Sequence, residues 1–330
     1  MRFTFLGTAA GMPARDRNVS GLALAPEQQR DWYLIDCGEG TQHQLLRSSY
    51  TTAKVRAIFI THVHGDHCYG LPGLLASAQM SGRSAPLTIS APAGVAEFIE
   101  AACRYTDFTP VYSIHWLRSD EPGFRYEDED VVVTSVPLSH RVPSFAYRIE
   151  ERVRERHLDP GRLAQLGVPR GPLWGELQQG RDVQLEDGRV ITSAAVCLPQ
   201  RRPRCIVVGG DNDQPELLRE ALLGCDLLIH EATYTEDVLA RVGPAYQHST
   251  AAQVAKTAAA AGVPWLGLTH ISQRYRRRPG TGTHSLRDLE QEARQHYRGG
   301  LFLADDLHSY LLDREHQLYR ETRDGVQAVS

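Results

Sequence analysis

The stretch Ala57-Ile58-Phe59-Ile60-Thr61-His62-Val63-His64-Gly65-Asp66-His67 decides how this chain is read. Its first half is a short apolar run ended by a polar residue, as a buried strand is. Its second half sets two imidazoles two residues apart, so in extended backbone His62 and His64 project to one side. Gly65 allows a tight turn, and Asp66 and His67 follow where the next helix would begin. Imidazole and carboxylate together suit Zn²⁺ or Mn²⁺ and disfavour a soft, thiolate-type site. A lone His-x-His means little, whereas the full string directly after a strand points to a metal site.

Similar apolar runs recur on both sides of it. Residues 32–36, 86–90, 131–136 and 145–149 read as strands, as do 205–211, 225–230 and 264–270. Residues 301–304 read as the last strand, and helices are expected over 71–80 and 250–261. The opening residues 1–7 alternate like a strand and lack the apolar stretch of a secretory signal, so a cytoplasmic location is expected. Between about 151 and 180 the character changes, first to Arg and Glu, then to Gly and Pro, at a density that should not continue a helix or a central strand. The pattern predicts one α/β domain over residues 1–330, two sheets with helices outside, and an inserted arm at about 151–180.

Composition narrows the function classes. Of 330 residues 42% are hydrophobic and 23% charged, which is ordinary globular composition. No run approaches the roughly 18 apolar residues of a membrane span, so no membrane partner is expected. The net charge of −4 argues against a general nucleic-acid coat, though basic patches stand at Arg274 to Arg278 and Arg201 to Arg204. Cys37, Cys68, Cys103, Cys197, Cys205 and Cys225 are scattered without a C-x-x-C pair and read mostly as core thiols, with Cys68 singled out because it follows His67.

The His62-x-His64-x-Asp66-His67 string resembles the defining motif of the metallo-β-lactamase superfamily, which implies a metallo-β-lactamase αββα sandwich with further ligands at later strand ends. Suitable residues end apolar runs at His140, Asp211 and His270. By that family pattern His62, His64 and His140 hold one divalent ion, Asp66, His67 and His270 hold a second, and Asp211 bridges them. The ions would most often be Zn²⁺, with Mn²⁺ as the other option. A narrower resemblance rests on residues 36–42, His230-Glu231-Ala232-Thr233-Tyr234, Gln247-His248-Ser249-Thr250-Ala251, residues 270–275, and Arg17-Asn18. This series is similar to that of the ribonuclease Z family, the tRNA 3′-processing endoribonucleases, and covers nearly the whole chain.

That resemblance implies an activity and a set of roles. The substrate is precursor tRNA, cut next to the discriminator nucleotide so that a 3′-hydroxyl remains on the tRNA. His248 would protonate the leaving oxygen, Glu231 would orient its ring, and Asp66 would serve as ligand and as the usual proton acceptor. The alternative for His248 is a place beside a helix N-cap. Ser272 and Arg274 could hold a phosphate or simply face solvent. The 167–180 segment resembles the family's flexible, tRNA-binding arm, with Gly171, Pro172 and Gly175 letting backbone approach RNA. Arg148, Arg152, Arg154, Arg156 and Arg170 are candidate phosphate contacts, weakened by interleaved Glu150, Glu151 and Glu155. A homodimer is implied, with one subunit's arm serving the other's site. His43 has no assigned role. A small-molecule phosphodiesterase or lactonase of the same fold is the competing reading, and a non-catalytic RNA-binding relative the third.

Overall fold

The computed structural model describes residues 1–27, 30–153, 156–198, 201–277 and 283–329. Arg154, Glu155 and Arg278 lie outside the described residues.

Two sheets carry the fold. In the first, Arg2–Gly7, Gly21–Ala25, Trp32–Ile35, Val55–Phe59, Leu87–Ala91 and Ile114–Arg118 follow in chain order, and the last four run parallel. The second carries four mutually parallel strands, Cys205–Val208, Leu227–Glu231, Trp265–Thr269 and Gly300–Leu303. Ser144–Glu151 joins them antiparallel along Cys205–Val208 and is followed by Val131–Leu138 and Arg125–Glu127.

The inner faces meet in one apolar layer where Phe3, Phe5, Tyr33 and Phe59 pack with Val133, Tyr147, Ile206 and Ile229. Burying each large side chain contributes about 1.5–3 kcal/mol before chain entropy is counted. The outer face of the first sheet is covered by the Leu71–Met80 helix, through Leu71, Leu74 and Leu75. The outer face of the second is covered by Ala251–Ala260, whose small side chains let the helix lie close. The layering is therefore α-β-β-α, as expected.

Two expectations about strands need correction. Residues 301–304 do not form the last strand: Ser309–Leu312, Leu318–Thr322 and Gly325–Ala328 follow and extend the first sheet. Ser309–Leu312 pairs antiparallel with Arg2–Gly7, where Tyr310 stacks on Phe302 at 4.3 Å between ring centroids. The Gly/Pro-dense stretch does hold a helix, Pro172–Gln178, because its proline sits at the first turn, where no N–H is needed.

Residues Glu151–Pro203 form a compact unit of their own. It therefore runs past residue 180, and it buries Leu163, Val168, Leu177, Val183, Ile191 and Val196 in a small core. Short helices at Pro160–Gln165, Pro172–Gln178 and Ser193–Val196 and a two-stranded ribbon supply these residues. Gly171 there has φ +150°, outside the range an L side chain readily adopts, whereas a Cβ at Gly175 would meet nothing within 4 Å.

The basic segments are largely occupied. Arg204 is buried against Glu27 and the Leu312 carbonyl, Arg201 pairs with Glu151, and Arg277 bridges Asp16 and Asp305. Arg148 lies on the Ser144–Glu151 strand and pairs with Glu150, so it belongs to the sheet rather than to the Glu151–Pro203 unit.

Candidate metal centre

The site residues sit where strands of both sheets end. Asp36 follows Trp32–Ile35, His62 and His64 follow Val55–Phe59, and His140 follows Val131–Leu138. Asp211 follows Cys205–Val208, Glu231 closes Leu227–Glu231, and His270 follows Trp265–Thr269. Carboxyl ends of parallel strands are the usual place for a site in an open α/β sheet.

The seven expected ligand positions converge in two sets. Donor atoms of His62, His64, His140 and Asp211 lie within 4.8 Å of one another, as do those of Asp66, His67, Asp211 and His270. Asp211 is common to both. Its Oδ2 faces His62 Nε2 at 3.6 Å and His140 Nε2 at 3.8 Å, while its Oδ1 faces His67 Nε2 at 3.4 Å and His270 Nε2 at 3.3 Å. Within the first set His64 Nδ1 stands 3.1 Å from His62 Nε2 and 3.2 Å from His140 Nε2. A tetrahedral ion with bonds of about 2.0–2.1 Å sets its donors roughly 3.4 Å apart, and these spacings match such ligand edges. Asp211 Oδ1 is buried without a hydrogen-bond partner, which fits an oxygen whose partner is a cation.

The other ring nitrogens are tied down, which fixes which nitrogen faces inward. His67 Nδ1–H donates to Asp36 at 2.7 Å, and His62 Nδ1–H to the Thr61 hydroxyl at 3.0 Å. His140 Nδ1–H donates to the Gln247 carbonyl at 2.9 Å, and His270 Nδ1–H to the Thr233 hydroxyl at 3.0 Å. Asp36, Gln247 and His270 all have left-handed backbone, with φ of +57°, +52° and +52°. Such conformations cost a non-glycine residue of order 1–3 kcal/mol and persist where surrounding structure enforces them.

Burial holds His62 well below the ordinary imidazole value and lowers His64 and His140 as well, so each offers a lone pair. Burial also disfavours charge on Asp211, but the imidazoles of His270, His67 and His62 overrule it and keep the carboxyl ionised. Asp66 behaves alike, held well below the usual carboxylate range by His67 and His270 against the effect of burial. A carboxylate so stabilised is a poor proton acceptor, which favours Asp66 as ligand. His67 is buried yet pushed well above its ordinary value by Asp211, Asp36 and Asp66, so this point of the site favours positive charge.

His248 and Glu231 stand beside the two sets. His248 Nδ1–H donates to Glu231 Oε1 at 3.0 Å, and Glu231 is 1% exposed. Burial opposes protonation of His248, but the Glu231 carboxylate outweighs it and raises the imidazole to about 9. Cations at the neighbouring ligand sets would draw that value back toward neutrality. A cleft of about 440 Å³ opens over these groups, lined by His64, Asp66, Asp211, His248 and His270 together with Met12, Tyr69 and Arg141.

Other expected positions fall differently. Ser272 is buried and its hydroxyl accepts from Arg274 at 3.3 Å, so it supports the exposed arginine instead of facing a ligand directly. Among the described residues the cleft lining includes neither. Cys68 is no ligand: burial pushes its thiol up to about 12, and it donates to the Val63 carbonyl. His43 lines a separate cleft with Arg15, Arg17 and Arg47. Gly65 lacks positive φ, so its role is not the tight turn expected of it. Sequence reasoning missed Asp36 as the acceptor that orients His67, although its segment belongs to the motif series. Asp36→Asn, which tolerates the same backbone, should weaken divalent-ion affinity by roughly 10–100-fold in a chelator competition. Unchanged affinity would remove Asp36 from the site.

The αββα layering and the shared-aspartate donor sets define the β-lactamase superfamily, and residues 31–158 match its family model, the β-lactamase superfamily domain. The chain is 52% identical over 320 residues to ribonuclease Z of Marinobacter nauticus, covering 97% of this chain and 99% of that protein. It is 46% identical over 322 residues to ribonuclease Z of Pseudomonas putida, covering 98% and 99%. Human tRNase Z, short form, superposes with a TM-score of 0.62 at 27% identity, covering 94% and 98%. The chain belongs to the ribonuclease Z family.

Proposed function

We propose that this protein is a metal-dependent endoribonuclease that cuts precursor tRNA on the 3′ side of the discriminator nucleotide, releasing the trailer and leaving a 3′-hydroxyl. The observation that carries this reading is His248, held from behind by buried Glu231, lining the same cleft as members of both donor sets. His62, His64 and His140 would hold one ion and Asp66, His67 and His270 the other, with Asp211 shared. Two divalent ions in such sets supply an acidified water and charge neutralisation at the phosphoryl oxygens. Glu231 holds His248 Nδ1–H, which leaves Nε2–H for the cleft, where it donates its proton to the departing ribose 3′-oxygen. Water adds at phosphorus, the P–O3′ bond breaks, and the trailer leaves with a 5′-phosphate. Asp66 acts as a ligand, with its Oδ2 also held by the Gly11 N–H at 2.8 Å.

The proposal extends to Zn²⁺ in both sets, with Mn²⁺ served by the same donors. It places the protein in the cytoplasm, which six free thiols suit, and no described helix is long and apolar enough to cross a membrane. It includes a homodimer in which the Glu151–Pro203 unit of one subunit grips tRNA cut by its partner. Gly171, Pro172 and Gly175 support that assignment, because a Cβ at either glycine would meet no described atom within 4 Å and a bare backbone admits a phosphate. Arg170, stacked over the Trp174 ring at 5.5 Å, offers a positioned guanidinium beside them.

The unit's removal is a clean test. Glu150 pairs with Cys205 across adjacent antiparallel strands, so an inserted Asn-Gly, which together with the retained Arg204 makes a three-residue hairpin loop, can close the gap left by residues 151–203. The deletion should lower cleavage of precursor tRNA by roughly 100-fold or more, through lost phosphate contacts. Hydrolysis of bis(p-nitrophenyl) phosphate should persist. Undiminished tRNA cleavage would refute the assigned role of the unit. A full-length protein that hydrolyses the small diester but leaves precursor tRNA intact would favour a small-molecule phosphodiesterase.

A further inference from the structure

Tyr69 is an exposed aromatic residue at the edge of the metal cleft, with 61% of its surface open to solvent. Its neighbours hold the ring in place. A Cβ added at Gly65 would stand 2.1 Å from Tyr69 Cε2 and 2.4 Å from Cδ2 and Cζ, so the ring lies directly against the bare Gly65 backbone. Phe98 packs on it at 5.8 Å between centroids, inclined by 44°. Because Gly65 lacks positive φ, what the glycine inside the ligand string supplies is space: a side chain at that position would displace the Tyr69 ring from where it stands. No described residue hydrogen-bonds the Tyr69 hydroxyl, so its orientation comes from packing against Gly65 and Phe98.

The same cleft presents other flat or polarisable surfaces. Met12 lines it at 60% exposure. Arg141, next in sequence to His140, lines it too, with its guanidinium 5.6 Å from the centroid of the half-exposed Tyr246 ring. A polar cleft for a phosphodiester gains nothing from an immobilised, outward-facing phenol ring if the reacting phosphate is the sole ligand. An unpaired base gains much, since every base has a π face and stacking on aromatic side chains is a main source of single-strand affinity.

We propose that Tyr69 is a substrate-positioning residue whose ring stacks on the unpaired nucleobase of one of the two nucleotides flanking the scissile phosphate. This rests on the proposed cleavage of precursor tRNA. Seated between Gly65 and Phe98, the ring keeps its place when the substrate is absent, so the base docks on a prepared surface and the phosphate is brought into register with Asp66 and His248.

The test is a cycle between protein and substrate. Wild type, Tyr69→Ala and Tyr69→Phe are assayed on a precursor tRNA, on one with an abasic discriminator position, and on one with an abasic first trailer position. Cleavage of the intact substrate by wild type next to the discriminator checks the underlying function first, and its failure would reject that reading alone. With wild type active, Tyr69→Ala should lower kcat/KM on the intact substrate by roughly tenfold, the scale of one lost base–aromatic stack. It should cause little further loss on one of the two abasic substrates, and Tyr69→Phe, which keeps the ring, should retain the dependence on the base. Metal content and thermal midpoint are measured for each variant, so that a damaged fold is recognised by a change in either and the kinetic comparison is made on intact protein. Equal losses on all three, or no loss on any, would overturn the stacking role.

Discussion

Exchanging Asp211 for Ala should leave a protein that retains at most one divalent ion after dialysis and loses at least about a thousandfold in diester hydrolysis. Asp211 gives one oxygen to each donor set, so one truncation removes a ligand from both. Electrophilic stabilisation by two ions is worth several kcal/mol at the transition state, and 1.36 kcal/mol corresponds to about tenfold in rate. Folding should respond as well, because ions bound only by the native state raise its stability by mass action. The variant should therefore melt near the temperature of chelator-treated wild type and gain nothing from added metal. Metal analysis, melting with and without metal, and hydrolysis of a small diester together read the outcome. Two equivalents of metal and near-normal turnover would dispose of the shared-aspartate arrangement.

Truncation of His248 to Ala should act on a different step. Metal content should be unchanged, because His248 Nδ1 is engaged by Glu231 and belongs to neither of the two four-residue donor sets that share Asp211. Turnover of precursor tRNA should fall by about 10²–10⁴, the usual worth of a positioned general acid. The diagnostic lies in the leaving group. A ribose 3′-alkoxide is strongly basic and needs a proton as it departs, whereas p-nitrophenolate does not. The loss should therefore shrink to a few-fold on bis(p-nitrophenyl) phosphate, in line with the Brønsted dependence of acid catalysis. An equal loss on both substrates would show that His248 serves binding or structure rather than proton transfer.

The site was more legible than the sheet edges. His62, His64, Asp66 and His67 are close in sequence, and His140, Asp211 and His270 each stand at the end of an apolar run, where the family resemblance led the search for further ligands. Asp36 was hidden because its partner His67 lies 31 positions away and its own setting, a left-handed residue after a strand, leaves no periodic signal. Tyr69 was hidden for a related reason: its importance depends on the empty space at Gly65, which a string of letters shows only as a glycine. The strands after residue 304 escaped because they are short and carry no continuous buried run: Ser309–Leu312 buries only Tyr310 and Leu312, Leu318–Thr322 only Leu318, and the edge strand Gly325–Ala328 is exposed throughout. The Pro172–Gln178 helix escaped because proline was weighed as a breaker without regard to its position at the first turn.

The pairing of Arg2–Gly7 with Ser309–Leu312 bears on how the chain emerges from the ribosome. Arg17 likewise hydrogen-bonds the Ala304 carbonyl and Asp305, so the loop around the first strand is held by residues synthesised nearly 300 positions later. The first sheet cannot close, nor that loop settle beside the cleft, until residues 304–312 have emerged. Such long-range closure slows folding and makes the nascent chain a client for chaperones. A chain cut before Ala304 would leave Arg2–Gly7 unpaired on one side and Arg17 partly without its anchor.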